Sequence, residues 1–159
     1  MKALIIITGE SFRDGGRLCR ETASEKSFAT QKKATDSHIN FINHLEKSHN
    51  IQVDVTLSSY YTKYTPKLVN WYRSKCNVKN VIFTNLVEEK KPTLEFNRNY
   101  KSAISKSFKT TCNYDFVFIF RFDLLLKDYL FEVFDPNWKT IRFPFAWFWR
   151  NYLKTDKQE

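Results

Sequence analysis

The sequence predicts an α/β fold, a three-layer sandwich of helices around a mainly parallel central sheet, and three observations predict it. Short β-branched or apolar runs alternate along the chain with segments of helical period. The order strand, helix, strand, helix, strand, helix, strand calls for right-handed crossovers between parallel strands. The third is the run Tyr114-Asp115-Phe116-Val117-Phe118-Ile119-Phe120-Arg121-Phe122-Asp123, apolar almost without a break until it ends in an arginine and an aspartate. Such a run reads as a strand buried on both faces, as parallel strands covered by helices are.

Taken in order, Ala3 to Thr8 is the first buried strand, and a polar, glycine-bearing loop follows from Gly9 to about Ser27. From Phe28 to Lys47 the residues Ala34, His38, Phe41, Ile42 and Leu45 recur at helical spacing, which predicts one amphipathic helix. Ile51, Val53, Val55 and Leu57 alternate along a second strand whose other face is more polar. Thr65-Pro66 has the form of a helix start, with proline at the first helical position, and leads into Leu68, Val69, Tyr72 and Cys76. Val78 to Thr84 is a third strand. Phe96, Tyr100, Ala103, Ile104 and Phe108 line a helix over Leu94 to Phe108, which leads into the fourth strand at Tyr114. Beyond Asp123 the pattern blurs: Leu124 to Phe134 reads as strand or helix, Asp135-Pro136-Asn137 as a turn, and Trp138 to Phe148 as an aromatic, strand-like segment. The whole is an α/β sandwich of Rossmann type.

Composition narrows the classes. At 159 residues the chain suits a single domain over 1–159, since domains commonly run ~100–150 residues. With 15 Phe, 8 Tyr, 4 Trp and only 3 Gly it is neither disordered nor a repeat array. Lys plus Arg number 26 against 17 Asp plus Glu, a net charge of +9 that favours an anionic partner without choosing one. Cys19, Cys76 and Cys112 are odd in number and far apart, as reduced thiols are. The opening apolar run is too short for a signal core, and no stretch approaches the ~20 apolar residues of a membrane span. The expected compartment is the cytoplasm.

The candidate chemistry gathers where ligands of parallel sheets bind, beyond the carboxyl ends of the strands. Arg121 and Asp123 end the fourth strand there; Asp123 could offer a cation a hard oxygen while Arg121 steadies a phosphate, or the two could simply pair with each other. The loop after the first strand brings Thr8, Gly9, Glu10, Ser11, Arg13 and Arg17 to the same edge, and arginine forks match phosphate oxygens. It is neither a GxGxxG fingerprint nor a P-loop. Ser58-Ser59-Tyr60-Tyr61 ends the second strand at that edge, with Ser58 and Tyr60 as the site candidates; Tyr60 or Tyr61 could stack on a nucleobase or cover the core. His38, His44 and His49, spaced by six and five, read as structural or solvated residues rather than ligands.

The segments Leu4-Ile5-Ile6-Ile7-Thr8-Gly9-Glu10-Ser11-Phe12-Arg13, the helix with Gln31, Ser37 and His38, the strand Asp54-Val55-Thr56-Leu57-Ser58, and Phe118-Ile119-Phe120-Arg121-Phe122-Asp123-Leu124 together resemble small GT-A-type glycosyltransferases, including those of large algal DNA viruses. The resemblance covers residues 3–127. It implies a donor-binding half over 1–127 that takes a nucleoside-diphosphate sugar, a glycan or other hydroxyl acceptor, host cytoplasm for a viral chain, and Mn²⁺ or Mg²⁺ bridging the diphosphate to an Asp-x-Asp motif. Here Arg121 stands at the first aspartate of that motif and Asp123 at the second, so Asp123 is the implied metal ligand. The acceptor side, 128–159, is short, so a truncated or donor-binding-only form is expected, and among Asp128, Glu132 and Asp135 no spacing selects a catalytic base. The competing expectation is a basic α/β module that binds nucleotides or RNA without catalysis; the glycosyltransferase reading expects no stable nucleic-acid complex.

Overall fold

In the computed structural model of the chain, the described residues are 1–14, 21–22, 24–84, 105 and 113–137. Their elements are β1 (Lys2–Thr8), β2 (Arg13–Asp14), β3 (Glu21–Thr22), α1 (Glu25–His49), β4 (Gln52–Tyr60), α2 (Thr65–Arg73), β5 (Asn77–Thr84), β6 (Phe116–Arg121) and α3 (Tyr129–Val133). Four strands form one sheet in the order β5-β4-β1-β6, every neighbouring pair parallel. The short β2 and β3 pair with each other as an antiparallel ribbon. The α/β class with a parallel sheet is as the sequence predicts, and it is compatible with a three-layer Rossmann-like sandwich. The helix expected over 94–108 and the aromatic segment 138–148 lie outside the described residues.

β1 sits between β4 and β6, and Ala3 to Thr8 are all buried. In-register partners share a face of a parallel pair, so Ala3, Ile5 and Ile7 line up with Val53, Val55 and Leu57 on one side and with Phe116, Phe118 and Phe120 on the other. α1 covers this face: the Phe41 ring meets Phe118 and Phe120 edge-on at 5.4 and 5.6 Å. Each such buried apolar side chain contributes roughly 1.5–3 kcal/mol. The opposite face is more polar, carrying Asp54, Thr56 and Ser58 of β4 beside Leu4, Ile6 and Thr8. Asp54 accepts from Tyr114 Oη at 2.7 Å and from Asn77 Nδ2 at 2.6 Å, which ties β4 to β5 and to the approach to β6, two residues before it begins.

One expectation is corrected. The Tyr114–Asp123 run reads as a strand buried on both faces, yet β6 is an edge strand among the described residues, with Val117 40% and Ile119 41% exposed. An apolar run reports hydrophobicity and not how many neighbours a strand has. α1 runs further than its apolar stripe, whereas α2 ends at Arg73, short of Cys76. α1 starts at Glu25 because Ser24 caps it, its side chain accepting from Ser27 N–H at 3.1 Å, and it stops at Asn50, whose φ of 52° is left-handed.

Residues Met1–Leu126 form one compact unit and Lys127–Glu159 a second. In the second, α3 is a single short helix, and Asp135 closes the turn after it by accepting from Asn137 N–H at 2.8 Å.

Candidate functional site

The strand order places a crevice before any side chain is considered. From β1 the chain crosses outward to β4 and β5, then returns to the other side of β1 as β6. The strand order thus reverses between β1 and β6, a topological switch point of the kind where ligands of open α/β sheets bind. Thr8 and Arg121 are register partners at this end, and Phe122 N–H donates to the Thr8 carbonyl at 3.0 Å.

The loop after β1 is held in a defined shape. Gly9 turns with a φ of 102°, a conformation glycine adopts without strain. Ser59 of β4 secures the next residues, its Oγ donating to the Gly9 carbonyl at 2.7 Å and accepting from Ser11 N–H at 3.0 Å. Phe12 has a φ of 55°, unusual for a bulky residue, and its ring is fully buried against Phe28 and Tyr64 at 6.0 and 5.3 Å. Left-handed backbone costs about 1–2 kcal/mol and burial of a large apolar side chain contributes about 1.5–3, so the ring can hold the backbone there.

α1 joins this loop to the one after β6. The buried Gln31 amide accepts from Phe12 N–H at 3.0 Å and donates to the Phe122 carbonyl at 2.9 Å, so one side chain clamps both walls of the crevice. Ser37 Oγ accepts from Leu126 N–H at 3.0 Å. His38 Nε2 lies 2.8 Å from the Leu124 carbonyl and must be the protonated nitrogen; Nδ1 then accepts from Tyr72 Oη at 2.7 Å. Burial pushes the His38 imidazole down to about 4, against the opposing pull of the Leu124 carbonyl and Asp123, so the ring is neutral at pH 7. Tyr72 is held well above the ordinary phenol range, first by burial. His38 is therefore a structural histidine, as its sequence context suggests.

At the mouth, Arg121 and Asp123 form a two-pronged pair, Nε to Oδ1 at 2.8 Å and Nη2 to Oδ2 at 2.6 Å. The Arg121 side chain is 50% exposed and that of Asp123 31%. Asp123 raises the guanidinium above its already high ordinary value, and Glu10 adds to this from the β1 loop. Thr8 is buried, and its Oγ1 finds no hydrogen-bond partner among the described residues. A buried unpaired hydroxyl at a sheet end calls for a water or a ligand atom.

The structure thus gathers Thr8, Gly9, Glu10, Ser11, Arg121 and Asp123 at one end of the sheet. Ser58 and Tyr60 are buried, and Tyr61, 54% exposed, is the tyrosine that faces outward. Arg13 lies in β2 with its side chain outside the described residues, as all of Arg17 does. Sequence reasoning placed Ser59 at this edge but missed its hold on the β1 loop, and it missed the clamp role of Gln31; the available signal for the latter was a glutamine and a histidine seven residues apart on an otherwise apolar helical stripe. It also separated His44 from His49, whose Nε2 atoms lie 3.3 Å apart at the end of α1. Cys76 is no candidate nucleophile, since burial pushes its thiol up to about 12.

The fold and this crevice define a parallel α/β protein with a polar, arginine-bearing mouth. No protein-family model, no curated protein and no solved structure matches the chain.

The divalent cation that the resemblance implies would need a donor set of several oxygens at this mouth. Asp123 commits both oxygens to Arg121, and no cluster of three or more His, Cys, Asp or Glu suited to a metal occurs among the described residues. Two unit charges at 4 Å interact by ~4 kcal/mol at an effective dielectric near 20, and a dication doubles that. The repulsion from Arg121 offsets most of the attraction one carboxylate provides. As arranged, these residues do not fit a divalent cation.

Proposed function

We propose that the chain binds a nucleoside-diphosphate sugar in the crevice between β1 and β6 and passes the sugar to a hydroxyl acceptor, in the manner of a GT-A-type glycosyltransferase. The observation that carries this reading is the clamped switch point. Gln31 fixes the two loops to each other, and Thr8, whose buried hydroxyl has no partner among the described residues, is in register with Arg121, whose fork lies at the mouth. Such an arrangement suits an anion with several oxygens. The guanidinium accepts charge that builds on the departing diphosphate, and a loop already held by Ser59 and Gln31 need not reorganise as the bond breaks. Transfer also needs an acceptor hydroxyl and a proton acceptor within reach of it. The test is release of nucleoside diphosphate across a panel of sugar donors and hydroxyl acceptors, with Arg121→Ala as the control. Acceptor-dependent release lost in the variant supports the proposal; release by neither protein, together with no donor binding, removes it.

The net charge of +9 favours one other reading, a basic module that binds nucleotides or RNA without catalysis. RNA binding whose affinity falls steeply with salt, and which Arg121→Ala leaves intact, would favour that module over the sugar transferase.

A further inference from the structure

We propose, resting on the donor-binding reading above, that Arg121 itself holds the diphosphate without a divalent cation, and that Asp123 is an internal carboxylate which the diphosphate displaces. The pair shows what the site recognises. Asp123 fills the side of the guanidinium formed by Nε and Nη2, at 2.8 and 2.6 Å, which is the face that takes two oxygens of a phosphate in the same parallel manner. The fork is therefore already oriented for a bidentate oxyanion. Asp123 is tethered only two residues away, and the pair is half exposed, so it is the kind of ion pair that water and competing anions readily open.

The anchoring of the two partners also differs. Arg121 is the last residue of β6, in register with Thr8, so its backbone is set by the sheet. Asp123 lies in the turn that follows, outside the strand. On exchange, the guanidinium keeps two hydrogen bonds and gains a doubly charged partner, while Asp123 returns to water. Thr8, whose hydroxyl is unpaired among the described residues, is the register partner of Arg121 on β1. Binding through the fork separates recognition of a diphosphate from the general pull of a basic protein.

The experiment is calorimetric titration of the full chain with UDP, GDP and inorganic pyrophosphate, in EDTA and again in excess Mn²⁺. The expected result is binding of at least one nucleoside diphosphate in EDTA, changed less than about threefold by Mn²⁺. Arg121→Ala should weaken it at least about tenfold, and Arg121→Lys should recover only part, since an ammonium is a point charge and not a fork. Asp123→Asn should strengthen metal-free binding by up to about fivefold, because the ligand no longer has to open the pair. Thermal unfolding of each variant guards against a folding defect, and Arg121→Gln, which keeps the stem and loses the charge, replaces Arg121→Ala if the latter is unstable. Binding seen only with Mn²⁺ and lost in Asp123→Asn would overturn the cation-free proposal and leave donor binding standing. No binding of any probe, with or without Mn²⁺, would remove the donor reading and the proposal with it.

Discussion

Gln31 shows how much a single side chain decides. Its amide is satisfied on both sides, accepting from Phe12 N–H and donating to the Phe122 carbonyl, and Thr35 Oγ1 lies a further 3.5 Å from its Nε2. Alanine at this position leaves a buried donor and a buried acceptor without partners, at roughly 1–3 kcal/mol for each group. Gln31→Ala is therefore expected to lower unfolding stability in urea by about 2–6 kcal/mol. It should also weaken ligand binding at the crevice, since both loops lose their common anchor. Gln31→Glu keeps the acceptor but has no proton for Phe122 at neutral pH, and is expected to rescue neither property. A Gln31→Ala protein with unchanged urea midpoint and unchanged affinity would show that the loops hold themselves.

At the scale of elements, α1 is the beam on which the crevice is hung. Gln31, Ser37 and His38 each bond to a loop beyond the sheet, so fraying of this helix reaches the site. Its ends are set by two residues. Ser24→Ala removes the N-cap and is expected to lower stability by about 1 kcal/mol. At the other end Asn50 holds a left-handed φ of 52°, so Asn50→Gly should be neutral or slightly stabilising and Asn50→Ala should destabilise. Chemical denaturation of the three variants checks both ends. An Asn50→Ala protein as stable as its parent would mean that the helix end tolerates other backbone angles.

For the whole molecule, pH and salt are the telling variables. The fully buried His38 joins α1, α2 and the segment after β6, and it is neutral when folded. Its pKa is about 4 in the folded state and 6.5 when unfolded, so the unfolded chain binds the proton more readily. The stabilisation is complete above pH 6.5 and drains away as the pH falls from there through 4. At 1.36 kcal/mol per pKa unit the loss amounts to about 3 kcal/mol. Urea titrations across that window should show the slope, and His38→Gln should flatten it; an equal slope in the variant would place the titration elsewhere. Salt separates the two functional readings. A protein engaging one diphosphate through one arginine should lose less than about tenfold in affinity between 50 and 200 mM salt, whereas 6–10 phosphate contacts on a nucleic acid lose ~10³–10⁵. Titrations of UDP and of a short RNA at both salts give the comparison.

Much of this protein was legible in its sequence, because strands and helices bury faces of fixed period. The runs at Ala3–Thr8 and Phe116–Arg121, the alternation from Ile51 and the stripe through Ala34, Phe41 and Leu45 define parallel strands and a covering helix, and they locate Thr8, Glu10, Arg121 and Asp123 at strand ends. Period does not report which strands become neighbours. Only the tertiary structure put β6 beside β1, at an edge among the described residues, and so created the switch point, and only it turned Ser58 and Tyr60 inward while setting Ser59 under the loop. The pairing of Arg121 with Asp123 was one of two readings open to the sequence. The Gln31 clamp lay beyond it, because Gln31 meets residues 19 positions before it and 91 after. Hydrogen bonds of that span are decided when the chain closes on itself, since they depend on where separate elements come to rest rather than on the character of any one of them.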